Sequence, residues 1–351
     1  MSRAARSSSA NGASPNGWPV SFSLRRLNCA SVPINTTSIG SRFKRLVEKL
    51  DGQPYGLEQV GERIRTALDI RTTTESRGYP WEDGTAVMGI LNVTPDSFSD
   101  GGQYVTVEEA VSRTAEMLSE GASIIDVGGE STRPGADPVT EAEERDRVVP
   151  VIEALSDRFP EALLSIDTYK PDVARAALAA GADIVNDVTG LRHQPEMAEV
   201  AAEAHAPLVV MHSAGEPGDL TRPRDYSDVT AQVRDALAQS VETAAQAGVE
   251  QIVIDPGFGF GKSNEDNLRL INEVDELLTL NRPVLVGVSR KSTIGATLGT
   301  PEDPAPVGDR LHGSLGATAV AVMRGATIVR THDVAPTVKM LKVLSTTLRQ
   351  P

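Results

Sequence analysis

The sequence predicts an α/β protein, a (β/α)8 TIM barrel behind a partly disordered N-terminal extension. Three observations carry that prediction. Short runs rich in Val, Ile and Leu recur eight times between Val87 and Asp333. Alanine-rich stretches of helical period, such as "VEEAVSRTAEMLSEG" and "PDVARAALAAG", separate the runs and close on glycine. Each run is apolar until its C-terminal end, where a residue able to bind or react stands. A doubly wound sheet also alternates strand and helix, but it shows fewer strands and a G-x-G-x-x-G after the first. None follows "VMGILNV".

Taken in order, residues 1–40 read as a disordered basic leader, because a Ser-, Asn- and Arg-rich stretch without period cannot bury enough surface to order itself. Residues 41–85 read as a short helical extension: "RFKRLVEKL" and "LEQVGERIRTALDI" carry apolar residues at helical spacing around a "DGQPYG" turn. Residues 86–351 form the barrel. Its strands are expected at "VMGILNV" (87–93), "SIIDVGG" (123–129), "ALLSIDT" (162–168) and "DIVNDV" (183–188). The remaining four are "PLVVMH" (207–212), "QIVIDPG" (251–257), "PVLVGVS" (283–289) and "ATIVRTHD" (326–333). Trp18 and Trp81 both precede the barrel, so neither is expected to report on a ligand in its mouth.

Composition narrows the function. The chain has 351 residues and a formal charge of −14, but residues 1–47 hold seven basic residues and no acid, which leaves −14 − 7 = −21 for the rest. A body that acidic argues against nucleic-acid binding. Only 7 of the 34 basic residues are lysine, a balance that suits a surface kept hydrated at high salt and equally a preference for Arg codons. Cys29 is the only cysteine, so no intrachain disulfide or cysteine metal cluster forms. No run of about eighteen apolar residues spans a membrane. The location expected is cytoplasmic, with an organelle as the second reading because the leader is Arg- and Ser-rich and acid-free.

The stretch "IDPGFGFGKSNED" (254–266) contains Gly261-Lys262-Ser263, the end of a P-loop pattern. The pattern needs glycine where Pro256 stands, and proline has no N–H to offer a phosphate. Lys262 is expected to be a solvated loop lysine. His193, His205 and His312 are expected on the surface or in packing.

The run ends are Asn92, Asp126, Asp167, Asn186, His212, Asp255, Ser289, and Arg330 with His332. Turn chemistry explains one such residue well and eight in a row poorly. In a barrel these positions converge on the mouth where active sites of the fold lie. Asp126, Asp167, Asn186 and Asp255 can read a flat heterocycle bearing several N–H donors and acceptors. Asn92, Arg330 and His332, with Arg133 and Lys291 on nearby loops, suit a pyrophosphate with Mg2+. No catalytic triad, HExxH or cysteine pair is present, which argues against covalent catalysis.

"GILNVTPDSFSDGG" (89–102) and "IDVGGESTRPGA" (125–136) resemble two signatures of the dihydropteroate synthases, a pterin-binding barrel family. "SIDTYKPDVARAALAAGADIVNDV", "DPGFGFGK", "GVSRKSTIG" and "GSLGATAVAVMRGATIVRTHDV" resemble its remaining blocks, in the family's order. The resemblance covers about residues 86 to 348. It implies a transferase of folate biosynthesis that joins p-aminobenzoate to hydroxymethyl-dihydropterin pyrophosphate with the help of Mg2+, and a sulfonamide target. It further implies that Asp126, Asp167, Asn186, Asp255 and Lys291 hold the pterin, with Asp255 nearest its guanidine-like edge. Asn92 would sit by the metal and pyrophosphate, with Arg330 and His332 on the phosphates. Phe260, Lys291 and Ser292 would line the p-aminobenzoate pocket, with Thr132, Arg133 and Pro134 from a loop. Asn92, Asp167, Lys291, Arg330 and His332 would carry the catalysis, and the protein would be a homodimer.

Several positions depart from the family's pattern: "KSNEDNLRL" lacks a common histidine, "RTHDV" replaces R-V-H-D, and "MHSAGEPGDL" lacks a Met-Gln. None removes a residue with an implied role. Two alternatives are a catalytically silent pterin-binding homologue and a methyl-tetrahydrofolate corrinoid methyltransferase. The methyltransferase would have no need of Arg330, His332 and "SRKS".

Overall fold

The structure, a computed structural model, describes residues 78–82, 84–94, 106–131, 139–215, 217, 219–220, 222 and 224–348. The expected leader and the two helical stretches of residues 41–77 lie outside the described residues. All described residues belong to one compact unit, Pro33–Pro351.

Among the described residues are eight strands and ten α-helices. The strands are β1 Ala86–Asn92, β2 Ile124–Gly128, β3 Leu163–Asp167, β4 Ile184–Asp187, β5 Leu208–Met211, β6 Ile252–Asp255, β7 Leu285–Val286 and β8 Ile328–Thr331. After β1 comes α1 (Val107–Glu120), then in turn α2 (Glu141–Arg158), α3 (Pro171–Ala179), α4 (Met197–Glu203) and α5 (Val229–Gln246). Helix α6 (Asn264–Asn272) and the one-turn α7 (Val274–Leu277) follow β6, α8 (Ser292–Leu298) and α9 (Leu311–Met323) follow β7, and α10 (Val334–Leu348) follows β8. Neighbouring strands pair parallel in the order β6-β5-β4-β3-β2-β1-β8-β7. A parallel bridge between Ile254 and Val284 joins the two outer strands and closes the barrel. Among the described residues no helix is long and apolar enough to cross a membrane.

Local sequence explains where the helices begin and end. Thr106 caps α1 and forms a reciprocal box with Glu109, the Thr106 N–H reaching the Glu109 carboxylate at 2.8 Å. Gly121 ends the helix at φ 104°, a left-handed turn that a side chain would resist. Ser263, the serine of the P-loop look-alike, is the N-cap of α6 and accepts the Asp266 N–H at 3.1 Å. Its role is helix capping.

Alternation along the strands divides the core in two. Residues of one parity, including Val87, Leu91, Ile125, Val127, Leu164 and Ile166, pack outward under the helices. The other parity fills the inside, where Ala86, Met88, Ile124, Ile184, Val209, Val253, Leu285 and Ile328 form an apolar floor. Trp81 joins that floor and stacks on Tyr79 with ring centroids 4.6 Å apart. The tryptophan that precedes the first strand thus plugs the end of the barrel opposite the mouth.

The seventh strand is shorter than its apolar run. Only Leu285 and Val286 pair with β8, and the next inward position is Gly287. A Cβ there would stand 3.6 Å from the Cβ of Arg330. The long arginine of the neighbouring strand passes this glycine as it crosses the barrel.

Candidate active site

Above the floor the inward positions turn polar. Asn92 pairs in register with Gly128, and Gly128 with Asp167. A Cβ on Gly128 would lie 3.7 Å from both Asn92 Oδ1 and Asp167 Oδ2. Two oxygen donors therefore flank this glycine. Ladders also align Asp167 with Asn186 and Met211 with Asp255. Six polar side chains, Asn92, Asp126, Asp167, Asn186, Asp255 and Arg330, share the inward parity and converge on one mouth.

Arg330 holds this group together. Its Nε donates to Asp126 Oδ2 at 2.6 Å and its Nη2 to Asp167 Oδ2 at 2.6 Å. Asn186 Nδ2 donates to the same Asp126 oxygen at 3.2 Å. Burial works against the arginine's charge, but the two aspartates outweigh it and raise its pKa further. Burial likewise lifts Asp167 to about 7, with Arg330 opposing the rise and the Asp126 charge adding to it. Asp255 is raised by burial too, offset by Lys291, by the Gly257 N–H at 2.7 Å and by Lys262.

Opposite this cluster stands Lys291, the residue before α8. Its Nζ donates to the Phe258 carbonyl and lies 4.4 Å from the centre of the Phe260 ring. Burial lowers its pKa to about 8, against the pull of Asp255. Ser292, at the first turn of α8, is exposed beside it. His332 Nδ1 lies 3.0 Å from Ser289 Oγ, and that hydroxyl also accepts the His332 backbone N–H at 3.2 Å. Arg290, at φ 58°, pairs with Asp333 through Nε at 2.9 Å, which fixes the turn between β7 and α8 against the end of β8.

A family model described as "Pterin binding enzyme" matches residues 88–332. The chain belongs to the pterin-binding enzymes. Its relatives there are dihydropteroate synthases. The one from Bacillus subtilis is 42% identical over 279 residues, covering 79% of this chain and 93% of that protein. A solved structure of the Xanthomonas albilineans dihydropteroate synthase with 4-aminobenzoic acid matches with a TM-score of 0.71 and 45% identity, covering 77% of this chain and 95% of that one. A probable bifunctional folylpolyglutamate synthase/dihydropteroate synthase of Halobacterium salinarum is 52% identical over 310 residues. That match covers 88% of this chain, while the chain spans 37% of the relative's length. It must reach into residues 1–77, because residues 78–351 are only 274 of the 351.

Against this pterin-binding frame, the residues anticipated from the sequence fall into three groups. Asn92, Asp126, Asp167, Asn186, Asp255, Lys291 and Arg330 meet in the mouth, with Phe260 under Lys291. His332 and Ser292 lie on the side of β7 and β8. Thr132, Arg133 and Pro134 lie outside the described residues. The fixed points on either side of their loop are visible, however. Lys170 Nζ donates to Glu130 Oε2 at 2.7 Å, Glu144 Oε2 at 2.5 Å and the Val139 carbonyl at 2.6 Å. Nothing in the sequence pattern marks this buried knot, since its members lie in three separate segments. His212 has no contact with the arginine cluster. Its ring lies 6.2 Å from that of Tyr226, and burial with Lys262 and Arg192 nearby lowers its pKa to about 3.

Lys262 requires correction. It is 5% exposed rather than solvated, and its Nζ donates to the carbonyls of Gly257 and Phe260 at 2.9 Å each and of His212 at 3.3 Å. The glycines around it bring those carbonyls to one point, which a reading of charge and loop composition does not foresee. His193, His205 and His312 are exposed, as expected.

The raised pKa of Asp167 makes a prediction. Its ordinary value is 3.8 and its folded value about 7, so the folded protein binds this proton more tightly than the unfolded chain. Its contribution to stability is complete below about pH 4 and is lost as pH rises through about 7. Asp167→Asn has no such proton, so its stability relative to wild type should improve between pH 5 and pH 8 by about 1–3 kcal/mol, allowing for the coupled arginine. Urea unfolding across that range measures it. A difference that stays constant with pH would mean that Arg330 keeps Asp167 ionised throughout.

Proposed function

We propose that the chain is a transferase of folate biosynthesis, condensing p-aminobenzoate with hydroxymethyl-dihydropterin pyrophosphate to give dihydropteroate and pyrophosphate. The observation that carries this reading is the single mouth in which the buried carboxylates Asp126 and Asp255 and the half-buried Asp167 stand beside Asn186, Arg330 and Lys291. Acceptors of this kind suit the N–H edge of a pterin. The cations suit a leaving anion and an aryl carboxylate.

In this reading Asp255 accepts from the guanidine-like edge of the pterin, and Asp126 with Asn186 reads the other side of the ring. The C–O bond between the pterin methylene and pyrophosphate breaks, and the leaving group takes the electron pair. The cation left on the methylene is stabilised by the pterin. The lone pair of the p-aminobenzoate nitrogen then forms the new C–N bond, and the nitrogen gives up a proton to solvent or to the departing pyrophosphate. An aryl amine is already a competent nucleophile, so the reaction asks for electrostatic support of the leaving group rather than a strong base. Arg330 and His332 supply that support. Lys291 and Phe260, with Ser292 at the start of α8, receive the p-aminobenzoate together with Thr132, Arg133 and Pro134. A lysine stacked over a ring offers one charge for the carboxylate and one apolar face for the benzene.

The oxygen donors that meet across Gly128 suit Mg2+, which takes one or two protein oxygens together with substrate phosphates. Asn92 would hold it through Oδ1. When bound, the ion neutralises charge on the departing pyrophosphate.

The reading includes a homodimer and a cytoplasmic location. Helix α9, "LHGSLGATAVAVM", is apolar almost all round. Its Val320 and Met323 are 40% and 58% exposed, and Leu298 of α8 and Leu268 of α6 are exposed as well. A helix of that composition supports burial against a second copy. Met323→Glu should convert a dimer into a monomer by light scattering; an unchanged mass would put the contact elsewhere.

Pyrophosphate release and dihydropteroate formation by the purified chain test the reaction, with Mg2+, at low and at molar salt. Release coupled to product and dependent on p-aminobenzoate is expected, with activity retained at molar salt. Asp255→Ala should raise KM for the pterin pyrophosphate about 30-fold or more, the cost of a buried charged hydrogen bond. Pterin binding without product at either salt would instead make the chain a silent homologue.

A further inference from the structure

The loop "DPGFGFGK" after β6 is built around its carbonyl groups. Gly257, Gly259 and Gly261 have φ of 67°, 82° and 66°. A Cβ on Gly257 would stand 1.9 Å from the His212 carbonyl oxygen, and one on Gly261 2.8 Å from the Cβ of Ala214. The glycines thus press the loop against the chain leaving β5. The same backbone turns successive carbonyls toward two ammonium groups. Lys262 takes Gly257, Phe260 and, across the gap between the two loops, His212. Lys291 takes Phe258. On the far side Asn267 accepts the Gly259 N–H at 2.7 Å and donates to the Lys262 carbonyl at 3.3 Å and to Thr293 Oγ1 at 3.0 Å. Thr293 lies in the first turn of α8, two residues from Lys291.

We propose that Lys262 is a positioning residue for the amine-substrate side of the site. Its ammonium draws the carbonyls of the two loops to one point and so fixes the Phe260 ring and the Phe258 carbonyl on which Lys291 is seated. This inference deepens the proposed reaction and rests on it.

Two observations favour lysine here over a generic buried cation. An ammonium offers three donors from a single atom, which suits three carbonyls converging on one point. A guanidinium spreads its donors over a planar fork. The chain is also poor in lysine, with 7 among 34 basic residues. Of the five lysines in the described residues, only Lys339 and Lys342 are exposed. The other three, Lys170, Lys262 and Lys291, each donate to main-chain carbonyls. Where a charge alone was sufficient the chain mostly uses arginine, and at Lys262 it does not.

The test compares wild type, Lys262→Met and Lys262→Arg in the full chain. Steady-state kinetics are measured for each substrate, melting temperatures verify folding, and 15N-lysine NMR follows the Lys291 side chain. KM for p-aminobenzoate should rise about tenfold in both variants, while kcat and KM for the pterin pyrophosphate stay within about threefold. The Lys291 resonance should move in both. If the methionine variant does not fold, Lys262→Gln, which keeps two N–H donors, takes its place with the same expectation. A purely structural lysine would lower the melting temperature and the active fraction and leave both KM values alone. An arginine variant identical to wild type would reduce the role to charge. Either result overturns the proposal. Wild-type protein without turnover would sink the proposed reaction, and an unmoved Lys291 resonance in the variants would then overturn the positioning role separately.

Discussion

The arrangement of the barrel mouth depends on one charge. Asp126 and Asp167 are inward-facing carboxylates at neighbouring strand positions, and two such groups in a barrel interior repel each other and resist losing water. Arg330 reaches from β8 to both at 2.6 Å and makes their burial tolerable. Its path runs beside Gly287, just past the end of β7, and Asn92 and Asp167 stand on either side of Gly128 on β2. Even so compensated, Asp167 is held near a pKa of 7. The site therefore keeps in Asp167 a carboxylate whose charge is only narrowly sustained, a condition common where a ligand's own N–H groups complete the solvation.

The physical basis of what could be read in the sequence is period. Alternation along a strand assigns a face to every residue, so a polar residue at the end of an apolar run is placed inward or outward by counting alone. Asn92, Asp126, Asp167, Asn186, Asp255 and Arg330 fall on one parity and meet. His212 and Ser289 fall beyond the strand ends, where counting no longer applies. Only Ser289 contributes, through His332. Gly128 and Gly287 share the inward parity and could have been found by the same count, since a glycine among large apolar residues marks a place where something else passes.

Contacts between segments distant in sequence were not legible. Lys262 reads as a loop lysine because composition says nothing about where carbonyls point, and it is the left-handed glycines that aim them. The knot of Lys170 with Glu130, Glu144 and the Val139 carbonyl joins three segments and borders the loop that carries Thr132, Arg133 and Pro134. Scarcity of lysine is visible in the composition. The fold gives it meaning by placing three of the five described lysines on main-chain carbonyls.

A double-mutant cycle in stability tests most directly whether Arg330 makes the burial of these carboxylates possible. Unfolding free energies would be measured for wild type, Arg330→Met, Asp126→Asn and the double variant. Arg330→Met leaves both aspartates without their cation and Asp126→Asn leaves Arg330 with Asp167 alone, whereas the double change removes both members of the Arg330–Asp126 pair. The double variant should therefore lose less stability than the sum of the two singles, by about 1–3 kcal/mol. Additive losses would mean that the guanidinium and the carboxylate are buried independently, and that the mouth does not depend on the charge of Arg330.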